Sequence, residues 1–301
     1  VSASLSGLGL DSTSRASRIA VVGDLHSAWD DADVEYFNRT RYALLLFTGD
    51  LGGSGARDGM RIAKSLARLT RPALVMPGNN DVEQYARIAA ELAYRKGRAG
   101  LIGNLRSEPP PAPDAGTAQT CGYSLHRFEH LGVDLTVVAG RPFAMGGSEL
   151  SFAGALDDSF GVKTMADSAK RLKELVDQVE SRDVVFLSHN GPSGLGSGAE
   201  SLWGSDFSRD HRDWGDVDLA AAVTHAKARG LRIHAVVAGH MHWTLKSGGL
   251  REWRLERDGT LYLNPARVPR IEALTTGKRR YHVALTLSTG SPVAEEIAVV
   301  D

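Results

Sequence analysis

Five apolar runs recur along the chain, and each stops at a polar residue. They are Arg18–Val22, Ala43–Phe47, Ala73–Met76, Val184–Leu187 and Ile233–Val237, rich in Val, Ile, Leu and Ala. Uninterrupted apolar runs this short predict strands covered on both faces. Between them the apolar period lengthens to that of a helix. Asp58–Thr70 sets Ile62, Leu66 and Leu69 on one face, with Asp58 as the N-cap. Asp81–Arg95 repeats the pattern, Asp167–Val179 carries Leu172, Leu175, Val176 and Val179, and Asp216–Arg229 ends at Gly230, a usual C′ residue. Leu135–Ala139 and Tyr281–Leu287 read as further strands, with more after Trp243. Arg106–Gln119 holds four Pro and reads as a surface loop. This order predicts an α/β fold with two packed sheets and helices outside.

The residues that follow the runs share one kind of chemistry. The segments are Gly23-Asp24-Leu25-His26, Gly49-Asp50, Gly78-Asn79-Asn80-Asp81, Ser188-His189-Asn190-Gly191 and Gly239-His240-Met241-His242. Ligands of α/β sheets collect at the carboxyl ends of strands, so these segments are expected to converge. Residues i and i+2 of an extended chain point the same way. Asp24 with His26, and His240 with His242, can therefore aim in pairs. Carboxylate, amide and imidazole without thiolate favour Mn, Fe, Zn or Mg over copper or an iron–sulfur cluster. Asp50 stands alone on its strand end, and a carboxylate has oxygens for two ions. It is the candidate bridge between two divalent metal ions, an arrangement suited to phosphate ester chemistry.

The order Asp-x-His, Gly-Asp, Gly-Asn-x-Asp, a His segment and Gly-His-x-His resembles the calcineurin-like metallophosphoesterase superfamily over roughly residues 18–265. The resemblance implies a four-layer αββα sandwich of two mixed sheets. It implies that Asp24, His26, Asp50 and His242 hold a first metal, and that Asp50, Asn79, His189 and His240 hold a second. It also implies hydrolysis of a phosphomonoester or phosphodiester by a metal-bridging hydroxide. Two positions depart from the family pattern. Asn80 stands where a leaving-group His is usual, and an amide cannot act as a general acid near neutral pH. After Asp50 the chain reads Leu51-Gly52-Gly53-Ser54-Gly55, without the phosphate-gripping Arg of the protein Ser/Thr phosphatases. The alternative reading is a non-catalytic metal-containing binding or interaction module on the same fold.

Composition narrows the partners. The net charge of −1 gives no global basic field for nucleic acid. Lys278-Arg279-Arg280 is a local basic run, read as a solvated hairpin flank. The lone Cys121 excludes an internal disulfide and reads as a buried small hydrophobe. No stretch is apolar for long enough to span a membrane. The expectation is a soluble, intracellular, cytoplasmic protein acting on a phosphorylated small molecule or nucleotide. Residues 1–17 are Ser-rich and read as a disordered segment before a single domain over 18–301. If that segment is a transit-peptide remnant, the compartment is a plastid or another organelle.

Two loops are candidates for substrate choice. Residues 191–215 follow His189 and carry Trp203, Arg209, His211, Arg212 and Trp214. Arg and His suit phosphate oxygens, Trp suits stacking on a ring, and His211 is the first candidate for a substitute acid. Arg141 follows the strand Leu135–Ala139 and could meet phosphate at the same crevice or form a structural salt bridge. His234 reads as a core residue. His126, His130, His225 and His282 lack metal-like spacing.

Overall fold

The computed structural model describes residues 17–53, 56–94, 118–129, 131, 133–207, 210–288 and 290–301. One sheet is ordered β11 (Ile271–Ala273), β12 (Lys278–Leu287), β1 (Ser17–Val22), β2 (Leu44–Phe47), β3 (Ala73–Val75) and β4 (Ala118–Thr120), with β13 (Val293–Val300) on the far side of β12. The strands from β1 to β4 are parallel, and β12 runs antiparallel to β1. The other sheet is ordered β5 (Ser124–Phe128), β6 (Leu135–Ala139), β7 (Asp183–Ser188), β8 (Arg232–Ala238), β10 (Thr260–Leu263) and β9 (Arg254–Arg257). Its four middle strands are parallel.

Alternation along each strand sorts its side chains into two cores. Ile19, Val21, Leu44 and Leu46 meet Val137, Val185, Leu187 and Val237 between the sheets. The intervening Ala20, Val22, Leu45 and Phe47 face Phe37 of α1 (Asp31–Arg39), Ile62 and Leu66 of α2 (Ala56–Leu66), and Ile88 of α3 (Tyr85–Tyr94). On the opposite side Val138, Val184, Phe186 and Val236 face Leu156 of α4 (Ala153–Phe160), Leu172 and Val176 of α5 (Met165–Asp177), and Val223 of α6 (Val217–Ala228). The result is the expected αββα sandwich of two mixed sheets. No helix among the described residues is long and apolar enough to cross a membrane.

Several boundaries differ from the sequence reading. Asp58 lies inside the first turn of α2 rather than capping it. The stretch from Asp81 is not one helix, because Asn79–Gln84 winds as a 3₁₀ turn before α3. Residues 106–117 lie outside the described residues, while Ala118 and Gln119 belong to β4. α5 starts earlier than expected because Thr164 caps it: Thr164 Oγ1 accepts from Asp167 N (3.1 Å), and Asp167 accepts from Thr164 N (3.0 Å). The basic run Lys278-Arg279-Arg280 opens β12 and flanks the turn of the antiparallel β11–β12 hairpin, with Lys278 exposed as expected but Arg280 turned inward. Arg280 is buried and binds Asp30, Asp33 and Asp301.

Candidate metal centre

The parallel neighbours β1, β2 and β3 end beside the parallel neighbours β7 and β8 of the other sheet. Their five terminal segments meet there. Asp24, His26 and His242 form one group of potential ligands, and Asp50, His189 and His240 form another. Within each group the ligand atoms lie within 4.8 Å of one another. Asp50 faces both groups: its Oδ2 is 3.5 Å from His26 Nε2, and its Oδ1 is 3.6 Å from His189 Nε2. Asn79 Oδ1 lies 2.9 Å from His189 Nε2, beside the second group. His26 and His242 present Nε2 atoms 3.0 Å apart.

Local backbone geometry makes this convergence possible. His26, Asp50 and His240 have φ of 40°, 47° and 66°, in the sparsely populated left-handed region. Such strain clusters at functional sites. Glycines opening two of the segments are required for close approach. A Cβ on Gly78 would stand 2.1 Å from Asp50 Oδ1, and one on Gly239 would stand 2.0 Å from Asp24 Oδ1.

A second layer of hydrogen bonds aims the candidate ligands. His189 Nδ1 donates to the Thr48 carbonyl (2.6 Å), which turns Nε2 toward Asp50. The Thr48 hydroxyl donates to Asp24 Oδ1 (2.8 Å), and His240 N donates to Asp24 Oδ2 (2.9 Å). The His240 imidazole bonds the Met145 backbone. Asn80 holds the proposed bridge twice. Its backbone N–H donates to Asp50 Oδ1 (2.9 Å) and its side-chain amide to Asp50 Oδ2 (2.8 Å). Asp81 is buried and accepts from Gly78 N (2.9 Å) and Leu51 N (3.0 Å), fixing the turn behind the site.

The electrostatics suit cations. Burial works against the Asp50 charge, but His189, the Asn80 N–H and His26 hold its carboxyl below the usual range. Burial pushes His240 down to about 3, so its imidazole is a neutral lone-pair donor. At His189 burial also opposes charge, yet the Asp50 and Asp24 carboxylates outweigh it and favour positive charge at that position. Burial and the Asp50 charge raise Asp81 to about 7. A hard and borderline donor set converging around buried carboxylates fits divalent metal ions.

The other sequence candidates fall elsewhere. Arg141 is buried, with Nε 2.9 Å from Asp218 Oδ2 and a terminal nitrogen 2.6 Å from Asp216 Oδ1. This is the structural salt bridge, and the guanidinium is committed to those carboxylates rather than to the crevice. His211 is exposed and bonds the Ser205 carbonyl (2.8 Å) through Nδ1. It does not line the cleft beside the metal centre, whereas Arg212 and Trp214 do. Arg209 and His130 lie outside the described residues. Trp203 is buried and donates to the Gly239 carbonyl (3.1 Å), so it supports the His240 turn rather than offering a stacking face. His234 is a core residue bonded to Asp183 (2.7 Å), and Cys121 is buried with its thiol pKa raised. Thr48 and Met145 escaped the sequence reading because backbone atoms do part or all of their work. Phe207, at the cleft, escaped it as a lone aromatic.

The chain belongs to the calcineurin-like phosphoesterase family, whose model matches residues 17–244. No curated protein matches it significantly. One solved crystal structure aligns with a TM-score of 0.55 at 10% identity, covering 93% of this chain and 99% of that one. Vacuolar Protein Sorting 29 from Cryptosporidium parvum aligns at 11% identity and a TM-score of 0.33, covering 95% and 99%. Vps29 from Entamoeba histolytica, solved as a double mutant, aligns at 14% identity and a TM-score of 0.30, covering 94% and 99%.

Proposed function

We propose that this chain is a metal-dependent phosphoesterase with a dinuclear centre. The observation that carries the reading is Asp50, whose two oxygens face two separate groups of potential ligands. Asp24, His26, Asp50 and His242 would hold one divalent ion, and Asp50, Asn79, His189 and His240 the other, drawn from Mn, Fe, Zn or Mg. Two such ions, when bound, supply Lewis-acid activation of the phosphoryl group and of water. The chain's own contribution is orientation. Thr48 fixes the His189 tautomer and one Asp24 oxygen, the Met145 backbone fixes His240, and Asn80 holds both oxygens of Asp50.

Asn80 has its amide committed to Asp50, so it does not protonate a leaving group. The reading therefore favours esters whose leaving groups depart without assistance. The substrate is a phosphorylated small molecule or nucleotide, and a single domain is supported by strands of both sheets contributing to one core between them. The test is metal analysis of purified protein, combined with hydrolysis of aryl phosphomonoesters and phosphodiesters in each of the four metals. Two ions per chain and metal-dependent turnover are expected. Protein that binds no ion tightly and turns over neither ester with any metal would overturn the proposal.

A further inference from the structure

A cleft of about 880 Å³ opens beside the metal centre, with His240 and His242 in its lining. That volume lies in the range that encloses drug-sized ligands. One wall is apolar and exposed. Met145, Phe207 and Val217 are 39%, 46% and 39% exposed, while most large apolar side chains of the fold are buried. Exposed apolar clusters of this kind mark binding surfaces.

The wall is built rather than incidental. Phe207 stands edge-on against Trp214 with ring centroids 4.9 Å apart. Trp214 Nε1 donates to the Met145 carbonyl (2.6 Å), and Gly147 N donates to the Trp214 carbonyl (3.1 Å). Gly146 is required there, since a Cβ would sit 2.1 Å from the Trp214 carbonyl oxygen. The Met145 backbone also holds His240. The aromatic wall and a metal ligand are thus tied to one residue.

Two cationic side chains stand in the lining with the aromatic wall. Lys246 Nζ lies 5.8 Å from the Phe207 ring centroid. Arg212 lines the same cleft, and among the described residues its guanidinium has no carboxylate partner. Two of the three acids in the lining are engaged: Asp213 accepts from Gly194 N and Gly215 N, and Asp206 pairs with Arg251 (3.6 Å) and accepts from Lys246 N, while Glu149 is the third.

We infer that this cleft selects small phosphate esters carrying a flat aromatic ring, with the ring against Phe207 and Trp214 and the phosphate toward His240 and His242. This rests on the phosphoesterase reading for the phosphate end alone. The test is calorimetric binding of adenosine 5′-monophosphate and of glycerol 2-phosphate to metal-loaded protein, with metal content measured in parallel. Adenosine 5′-monophosphate is expected to bind more tightly. Phe207→Ala should weaken it by about tenfold to a hundredfold, the range for loss of one stacking partner, while glycerol 2-phosphate is affected far less and both ions remain. Phe207→Tyr should restore binding.

Equal affinities for the two ligands, or equal losses for both in Phe207→Ala, would overturn the inference. Hydrolysis is scored separately. Turnover of aryl and alkyl esters with no aromatic preference in binding removes this inference and leaves the phosphoesterase reading standing. An aromatic preference in binding without turnover of any ester does the reverse.

Discussion

Gly78→Ala should disable the metal centre without removing a single ligand. Gly78 has φ of −85°, which alanine adopts freely, so the effect is one of space alone. The new methyl would meet Asp50 Oδ1 at 2.1 Å, Asp50 N at 2.5 Å and His189 Cε1 at 2.7 Å. Two of these atoms belong to the proposed bridge residue and one to a ligand of the second ion. The Asp50 carboxylate must retreat by about 1 Å to reach even a 3.0 Å contact. Asn80 and Asp81 hold the surrounding turn, so it yields little. A misplacement of about 1 Å costs on the order of 10²-fold in rate. Overpacking at such a site costs roughly 1–3 kcal/mol of stability. The assay is metal content by elemental analysis, Tm, and turnover of an aryl phosphodiester. Gly154→Ala in α4 is the control, since its methyl would meet nothing within 4 Å. If Gly78→Ala keeps two ions per chain and full turnover, the close approach of Gly78 to Asp50 does not matter and the geometric account of the centre fails.

Asp50→Asn should weaken binding of both ions, because both Asp50 oxygens face ligand groups; titration calorimetry showing two sites of unchanged affinity would refute the bridge. Rates for a series of esters should depend steeply on leaving-group pKa under single-turnover conditions, since the Asn80 amide is committed to Asp50 and general acid help of about 10²–10⁴-fold is missing; a flat series would point to another proton donor. His282 is held neutral inside the fold, pushed down to about 3 by burial and by the Arg270 and Arg18 charges, and it bonds the Tyr42 hydroxyl at 2.8 Å. An unfolded imidazole titrates near about 6.5, so this contribution to stability is complete above that pH and is lost as pH falls toward 3. Urea unfolding midpoints should therefore fall less on acidification in His282→Gln than in the wild type, and parallel curves would exclude His282 as a source of acid sensitivity.

The convergence of the candidate ligands was legible because each segment follows an apolar run that reads as a buried strand. Asp24, Asp50, Asn79, His189 and His240 needed no knowledge of distant contacts to be placed at strand ends. The supporting layer was opaque for a physical reason. Thr48 orients His189 through a carbonyl that every residue possesses, and Met145 serves His240 and Trp214 through its backbone. The partners of Arg141 lie at Asp216 and Asp218, far along the chain at the start of α6, and nothing local announces them. In the long loop, Trp203 and Trp214 look alike as letters. Only the path of the loop decides that Trp203 fills the core under Gly239 while Trp214 lines the cleft. The 3₁₀ turn at Asn79–Gln84 defeated the helical reading because Asn80 and Asp81 turn back to bond Asp50, Gly78 and Leu51.

Thr48 touches both halves of the centre: its hydroxyl steadies Asp24 and its carbonyl steadies His189. The two proposed half-sites would therefore share an ordering cost. In the proposed dinuclear centre, whichever half filled first would hold Thr48 and Asp50 in place for the other, and the second ion would meet donors whose conformational freedom was already spent. Loading would become cooperative by this route alone, with no change of shape. At limiting metal the population would then divide into empty and fully charged molecules, and a half-loaded form would be scarce.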